Sequence, residues 1–383
     1  MVLRPAGRQR RLHRNTRWRS PVPRQRIARR QGLHQASNSR FQHRRFDEVR
    51  WLASRQREGR DHCRLPTRVA VGGMASEREL TARLAGFFPR HRDVVVGIGD
   101  DAAVVRHRHD RVVLCCDPVV QGVHFEAQTK PSLIGKKAVN RNLSDLAAMG
   151  ALADWLLVSL VVPKSTSTRG LLALLGGVRA AARAADCFVV GGDIATSDGP
   201  MVVTVSAFGH LPGRALTRSG AKAGDTLHVT GPLGGSILGH HLRFRPALQE
   251  GVWLARQDAV SAAMDVSDGL LLDLQTMLAA SRRSGAELGA ELDAGSIPIR
   301  RAAHQLGDAL QHALTDGEDH VLLWAQRPAH ELSRGGPLTM RARRVIGRII
   351  REPGLWLVQD GGRRRLPDDL QDSWGFQHTW KQT

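Results

Sequence analysis

From Val94 onward the chain alternates between two hydrophobic periods, and this alternation limits its fold more than any other feature. Short apolar or β-branched runs at 94–96, 112–116, 156–162, 187–190, 201–210, 226–230 and 262–266 read as strands. Between them, 134–149 places Ile134, Ala138, Leu143, Leu146 and Met149 at helical spacing. Residues 171–185 and 270–282 also read as helices. Strands interleaved with helices predict an α/β fold in which helices cover mixed α+β-type sheets. The break at Leu211-Pro212-Gly213 predicts two lobes, 74–212 and 213–383. A chain of 383 residues is long enough for both. No short-period repeat is present.

The formal net charge is +20, but it is unevenly distributed. Residues 1–73 hold 20 Arg, no Lys and only Asp47, Glu48, Glu58 and Asp61, for a net charge of +16. The remaining 310 residues carry +4. The Arg-rich segment is low in complexity and has three readings. It can be a nucleic-acid-binding arm, an organelle transit peptide, or an extension upstream of a start at Met74. The third is preferred, because Arg without Lys resembles translated GC-rich DNA. Ser76 would then cap a helix whose apolar face is Leu80, Leu84 and Phe87.

Aromatics make up 4% with no Tyr, which disfavours a base-stacking platform, so nucleic acid is not the expected partner. The four cysteines, Cys63, Cys115, Cys116 and Cys187, have no CxxC spacing. Neither a disulfide scaffold nor structural zinc is expected, and a reducing, cytoplasmic setting fits. No apolar run reaches bilayer-spanning length, and the N-terminus has no secretory apolar segment.

Chemistry is expected where Asp meets Gly or small residues at strand and helix ends. Five such places lie within 180 residues: Gly97-Ile98-Gly99-Asp100-Asp101, Cys115-Cys116-Asp117, Asn142-Leu143-Ser144-Asp145, Gly191-Gly192-Asp193 and Asp265-Val266-Ser267-Asp268-Gly269. A single Asp-Gly is most often a turn, and Ser267-Asp268 can simply cap the helix near Leu270. Recurrence is what points further. Carboxylates at strand ends face the crevice where α/β folds bind ligands, and converging carboxylates call for a hard cation. There is no GxxxxGK[ST] loop, no HExxH and no Cys/His zinc spacing. The pattern reads as Mg²⁺-bridged phosphate chemistry. Arg218 is a candidate phosphate clamp or a solvated charge. His124 is a core histidine or a ligand. His107, His109, His240 and His241 lack a carboxylate at useful spacing and read as structural.

GIGDDAAVV (97–105), D-x-x-x-x-G-V-H-F (117–125), NLSDLAAMGA (142–151), GGD (191–193), GRALTRSGAKAGD (213–225), DVSDGLLLDL (265–274) and DGEDHVLL (316–323) occur in this order. The set resembles the thiamine-monophosphate kinases, of the aminoimidazole ribonucleotide synthetase-like superfamily, over about residues 76–378. The resemblance implies a two-lobed fold of that superfamily whose N-terminal lobe sheet forms a barrel across a homodimer. It implies transfer of the ATP γ-phosphoryl group to thiamine monophosphate, with several Mg²⁺ ions and a monovalent cation as a further candidate. Asp101, Asp117, Asp145, Asp193, Asp265 and Asp268 would hold metal, with Cys115 and Cys116 at a further ligand position. Asp145, Asp193 and Asp268 would form the catalytic set. Gly192, Asp193, Arg218 and Ser267 would contact ATP, and His124, Glu318 and Phe376 the thiamine phosphate.

The sequence departs from the family at several positions. Cys115-Cys116 stands where the family has Ser/Thr-Thr, and a thiol is the poorer Mg²⁺ ligand. Ile194-Ala195-Thr196-Ser197 replaces Thr-Thr-Arg-Gly after GGD, removing an Arg near the nucleotide. Asp316 replaces the first Gly and His320 the Tyr of the GGED region, and the stretch between Gly231 and Asp265 is short. An acceptor phosphate is already ionised at neutral pH, so in-line transfer needs no strong general base. The alternatives are another ATP-dependent enzyme of the superfamily, an inactive relative, or nucleic-acid binding through 1–73. The lack of a Cys near the start of the core disfavours a selenium-handling member.

Overall fold

The computed structural model describes residues 84–98, 102–282, 287–328, 330–333, 335–338 and 344–367. Asp101, Phe376, the segment 1–73 and the proposed cap at Ser76 lie outside the described residues. A helical turn at 84–87 buries Leu84. It is followed by the small pair β1 (Val94–Val96) and β2 (Val104–Val105).

A four-stranded sheet follows, built from β3 (Val112–Val120), β4 (Leu152–Pro163), β5 (Phe188–Ser197) and β6 (Val202–His210) in the order β3-β6-β4-β5. Only β4 and β5 are parallel, joined by the helical crossover that parallel strands require. Two helices, α1 (Pro131–Ala148) and α2 (Thr168–Ala184), cover one face. Pro131 opens α1 at a position where its missing N–H costs nothing, and Ser167 caps α2 by accepting from the Gly170 N–H.

The two helices cross at glycines. A Cβ at Gly135 would stand 2.1 Å from the Leu174 carbonyl oxygen, and one at Gly177 would stand 2.0 Å from that of Ser132. Both contacts are to backbone, so neither can move alone. Gly177→Ala is therefore expected to cost about 3 kcal/mol by overpacking. Urea denaturation measures this, and a loss below about 1 kcal/mol would mean that the helices part easily.

The second sheet has seven strands in the order β13-β12-β9-β11-β7-β10-β8. These are β7 (Thr226–Val229), β8 (Val260–Asp265), β9 (Gly289–Asp293), β10 (Leu322–Gln326), β11 (Gly347–Ile350), β12 (Gly354–Gln359) and β13 (Gly362–Arg365). Only β9 and β12 pair in parallel. The helices of this part are α3 (Leu248–Ala255), α4 (Leu270–Ser281) and α5 (Ala309–Thr315). All six residues of β8 are buried, so this end strand is covered on both faces. Ala262 and Met264 join the core under α4, whereas Val260 and Ala263 join a separate core with Ala147, Ala148, Leu254 and Trp324.

That last core decides the site. It places the C-terminal end of α1 against the second sheet while the rest of α1 lies on the first. Twelve residues of α1 are buried, including Lys137, Asn140, Asn142 and Ser144, so the helix has no ordinary solvent face. The buried polar side chains Lys137, Asn140, Asn142 and Ser144 must find partners inside the protein.

Candidate functional site

The polar stripe of α1 consists of Lys137, Arg141, Ser144 and Asp145, at successive turns. Asn142 joins the helix to β3. It accepts from the Asp117 N–H at 2.9 Å and donates to the Asp117 carbonyl at 3.2 Å. Asp117 is therefore mid-strand rather than at a strand end, and Asp145 lies in the last turn of α1 rather than at a helix start.

Ser144 donates to the Asp265 carboxylate at 2.7 Å, linking α1 to the end of β8. His320 Nδ1 stands 3.5 Å from the same oxygen. Burial works to raise Asp265, but contacts with His320 and Ser144 and the charge of Arg218 outweigh it and hold the carboxyl below its ordinary value. Asp145 goes the other way. Burial, then the charges of Asp265 and Asp117, push its carboxyl up to about 7. Burial also raises Asp268.

The loop after β8 is organised from within α4. Asp273 accepts from the backbone N–H groups of Ser267 and Asp268, both at 3.0 Å, and of Gly269 at 3.2 Å. Its carboxyl is pushed up to about 8 by burial and by Asp268 and Asp265. The expected capping by Ser267-Asp268 is not what forms. Gly269, with φ 121°, occupies the cap position without a side-chain bond, and Asp273 holds the loop in reverse.

The segment 316–320 lies across this loop. The Glu318 N–H donates to the Ser267 carbonyl and the His320 N–H to the Val266 carbonyl, both at 2.7 Å. Glu318 and His320 both adopt left-handed backbone, at φ 62° and 50°. Non-glycine residues are uncommon in this region, and Glu in particular must be held there by its surroundings. Glu318 meets Lys137 Nζ at 2.7 Å and His241 Nδ1 at 3.3 Å. Burial would raise Glu318, but His241 and the Lys137 ammonium hold it down at about 2. Lys137 is fully buried and also donates to the His124 carbonyl. The His124 ring is fixed by the Val120 N–H donating to Nδ1 at 3.1 Å, so a neutral ring carries its proton on Nε2.

The structure thus brings together Asp117, Asp145, Asp265 and Asp268, with Ser267, His124 and Glu318 on adjoining segments. Arg218 is exposed, and its charge acts on Asp265 and Asp268. Two expected residues stand elsewhere. Cys115 and Cys116 alternate across β3, so only Cys115 faces α1. Its thiol donates to the Asn142 carbonyl and is kept protonated by burial and by Asp145 and Asp117. Cys116 lies on the open face of the sheet beside the Ser206 hydroxyl. Asp193 also differs from expectation. β5 continues through it to Ser197, and it pairs with exposed Ser159 on that same open face. Gly192 is demanded by backbone packing, since a Cβ there would stand 1.9 Å from the Val158 carbonyl oxygen.

Sequence reading missed Lys137, Arg141, Ser144, Asp273 and His241. The i, i+4, i+8 series 137-141-145 was a usable signal for the first two. His241 was set aside for lacking a nearby carboxylate, yet its partner Glu318 is 77 positions downstream. His109 likewise has a distant partner, stacking at 3.7 Å on His210, which meets Asp154 at 2.7 Å.

The donor set fits a hard divalent cation. It is made of oxygens, and Asp145, raised first by burial and then by Asp265 and Asp117, is a carboxylate that a cation would favour in its charged form. Among the described residues no three His, Cys, Asp or Glu side chains are grouped tightly enough to chelate one ion. Each ion would take one or two of these carboxylates and complete its shell with phosphate oxygens and water, as Mg²⁺ commonly does. Among the described residues no helix is long and apolar enough to cross a membrane.

Two mixed sheets sharing one buried helix, with carboxylates from both converging on it, define the class. Residues 99–211 match the family model "AIR synthase related protein, N-terminal domain". The thiamine-monophosphate kinase of Rhodopirellula baltica is 38% identical over 299 residues, covering 73% of this chain and 91% of that protein. The crystal structure of thiamine-monophosphate kinase from Stenotrophomonas maltophilia is 31% identical, covers 73% of this chain and 94% of that one, and superposes with TM-score 0.60. A solved structure of AaThiL complexed with AMPPCP and TMP is 26% identical, covers 81% of this chain and 100% of that one, and also has TM-score 0.60. The chain belongs to the thiamine-monophosphate kinase family.

Proposed function

We propose that this chain transfers the γ-phosphoryl group of ATP to the phosphate of thiamine monophosphate, making thiamine diphosphate, in a Mg²⁺-dependent reaction. The observation that carries the reading is the convergence of Asp117, Asp145, Asp265 and Asp268 on one buried helix, in a chain of this family. AaThiL in complex with an ATP analogue and TMP supports the same substrates here.

Bound Mg²⁺ would neutralise the triphosphate and the acceptor phosphate as they approach. Asp117, Asp145, Asp265 and Asp268 would share the ions between them, one or two carboxylates to each, with Asp101 as a further ligand. Arg218 carries positive charge beside the same carboxylates and would grip nucleotide phosphate. Glu318 and His124, both tied to Lys137, would orient the thiamine part, and Phe376 would stack near it. No side chain has to take a proton, because the attacking phosphate oxygen is already ionised; positioning and charge carry the reaction. Cys115, held as a neutral thiol, is better suited to packing than to metal binding. Asp193 on the open sheet face, Gly192 and Ser267 remain the proposed nucleotide contacts, with a monovalent cation as a further counter-ion of the phosphates.

The division into 74–212 and 213–383, with 1–73 as an extension, is part of the same proposal. So is a homodimer that covers the open face of the four-stranded sheet, where Val112 and Leu114 are exposed. A cytoplasmic location fits the free thiols of Cys115, Cys116 and Cys187. The deciding assay incubates the full chain with ATP, Mg²⁺ and thiamine monophosphate and separates the thiamine phosphates chromatographically. Thiamine diphosphate with equimolar ADP is expected; ATP hydrolysis alone, or no turnover, would overturn the reading.

A further inference from the structure

Arg141 is absent from the family motifs quoted above, yet it stands at the centre of the site. Its Nε donates to Asp117 at 3.1 Å, and its Nη1 lies 3.6 Å from Glu318. Its charge also partly offsets the rise that burial imposes on Asp145 and Asp268. One guanidinium therefore faces carboxylates from β3, from its own helix, from the loop after β8 and from the 316–320 segment. Lys137 cannot do the same, since it is fully buried one turn earlier and already engaged by Glu318, His241 and the His124 carbonyl. Arg141 is partly exposed, and among the described residues its only hydrogen bond is the one to Asp117. Its other N–H groups are available to an incoming anion, in the planar arrangement that suits a phosphate.

We propose that Arg141 is the resident counter-ion of this site: it holds Asp117 and Glu318 together in the substrate-free enzyme, limits divalent-cation uptake until substrate arrives, and then receives the acceptor phosphate. The last step rests on the phosphoryl-transfer reading above; the first two do not. A cation a few ångströms from the carboxylates opposes a divalent ion, so removing it strengthens metal binding. Its loss also removes a phosphate partner, so acceptor binding weakens. A purely structural role would weaken both.

The test is calorimetric titration of the substrate-free full chain with Mn²⁺, alongside KM for thiamine monophosphate. Arg141→Gln is expected to bind Mn²⁺ about tenfold more tightly while KM rises about tenfold. Arg141→Lys keeps the charge but not the fork, so its Mn²⁺ affinity should stay within twofold of wild type while KM still rises. Unchanged or weaker Mn²⁺ binding in Arg141→Gln would overturn the counter-ion role, as would equal tightening in Arg141→Lys. An unchanged KM in both would overturn the anion-receiving role. If the chain makes no thiamine diphosphate at all, the function reading fails, and the Mn²⁺ titration still judges the counter-ion.

Discussion

Asp145→Asn is expected to lower kcat by about a thousandfold or more while raising the melting temperature in chelator-treated buffer at pH 8. The two effects have one cause. In the folded chain burial, Asp265 and Asp117 push the Asp145 carboxyl up to about 7, against an ordinary value of 3.8. A carboxyl whose folded value is raised binds more protons folded than unfolded across that interval. The wild type therefore loses stability as pH rises from about 4 to about 7, and above 7 the whole penalty is present. Asparagine removes it, and a gain of roughly 1–3 kcal/mol corresponds to a few degrees in a domain of this size. Below pH 4 both proteins carry a neutral group there, and the difference should vanish. The activity loss follows because the amide lacks the charge that would hold Mg²⁺ against two polyanions. Near-normal turnover in Asp145→Asn would sink its assignment to the metal site. A melting temperature that falls equally at pH 4 and pH 8 would show that packing, not charge, governs the position.

Lys137→Met should destabilise the fold by about 3 kcal/mol, because it leaves the half-buried Glu318 carboxylate without its ammonium partner. The informative comparison is the double variant Lys137→Met with Glu318→Gln. Removing the stranded charge should restore at least half of the lost stability, since the desolvation penalty goes with it. Catalysis should not return, because neither residue is then able to orient the acceptor. Denaturant midpoints for the two single variants and the double variant supply the cycle. Strictly additive losses would mean that the pair is not coupled and that His241 and Arg141 hold Glu318 without Lys137. Lys137→Met also tests the contact to the His124 carbonyl, so KM for thiamine monophosphate should rise in the single variant even where folding is intact.

Much of the architecture was legible from local pattern. Short apolar and β-branched runs located the strands of the first sheet, and helical spacing located α1, α2 and α4 to within a few residues. The ordered motifs pointed to the family, and Asp117, Asp145, Asp265 and Asp268 were singled out from recurrence alone. Some errors were local too. Treating the 187–190 run as complete placed Asp193 at a strand end, when β5 continues to Ser197. The alternation of β3, which runs to Val120, puts Cys115 and Cys116 on opposite faces of the sheet.

What the sequence determined by itself is therefore the set of elements and the carboxylates they carry, because side-chain period and turn chemistry are properties of neighbours along the chain. Only the tertiary structure decided that α1 lies buried between two sheets. That placement turns Lys137, Arg141 and Ser144 from ordinary helix residues into partners of Glu318, Asp117 and Asp265, two of them more than 100 positions away. The reason is physical: a buried polar group must be paired, and which group pairs it depends on packing across the fold, which no local period records.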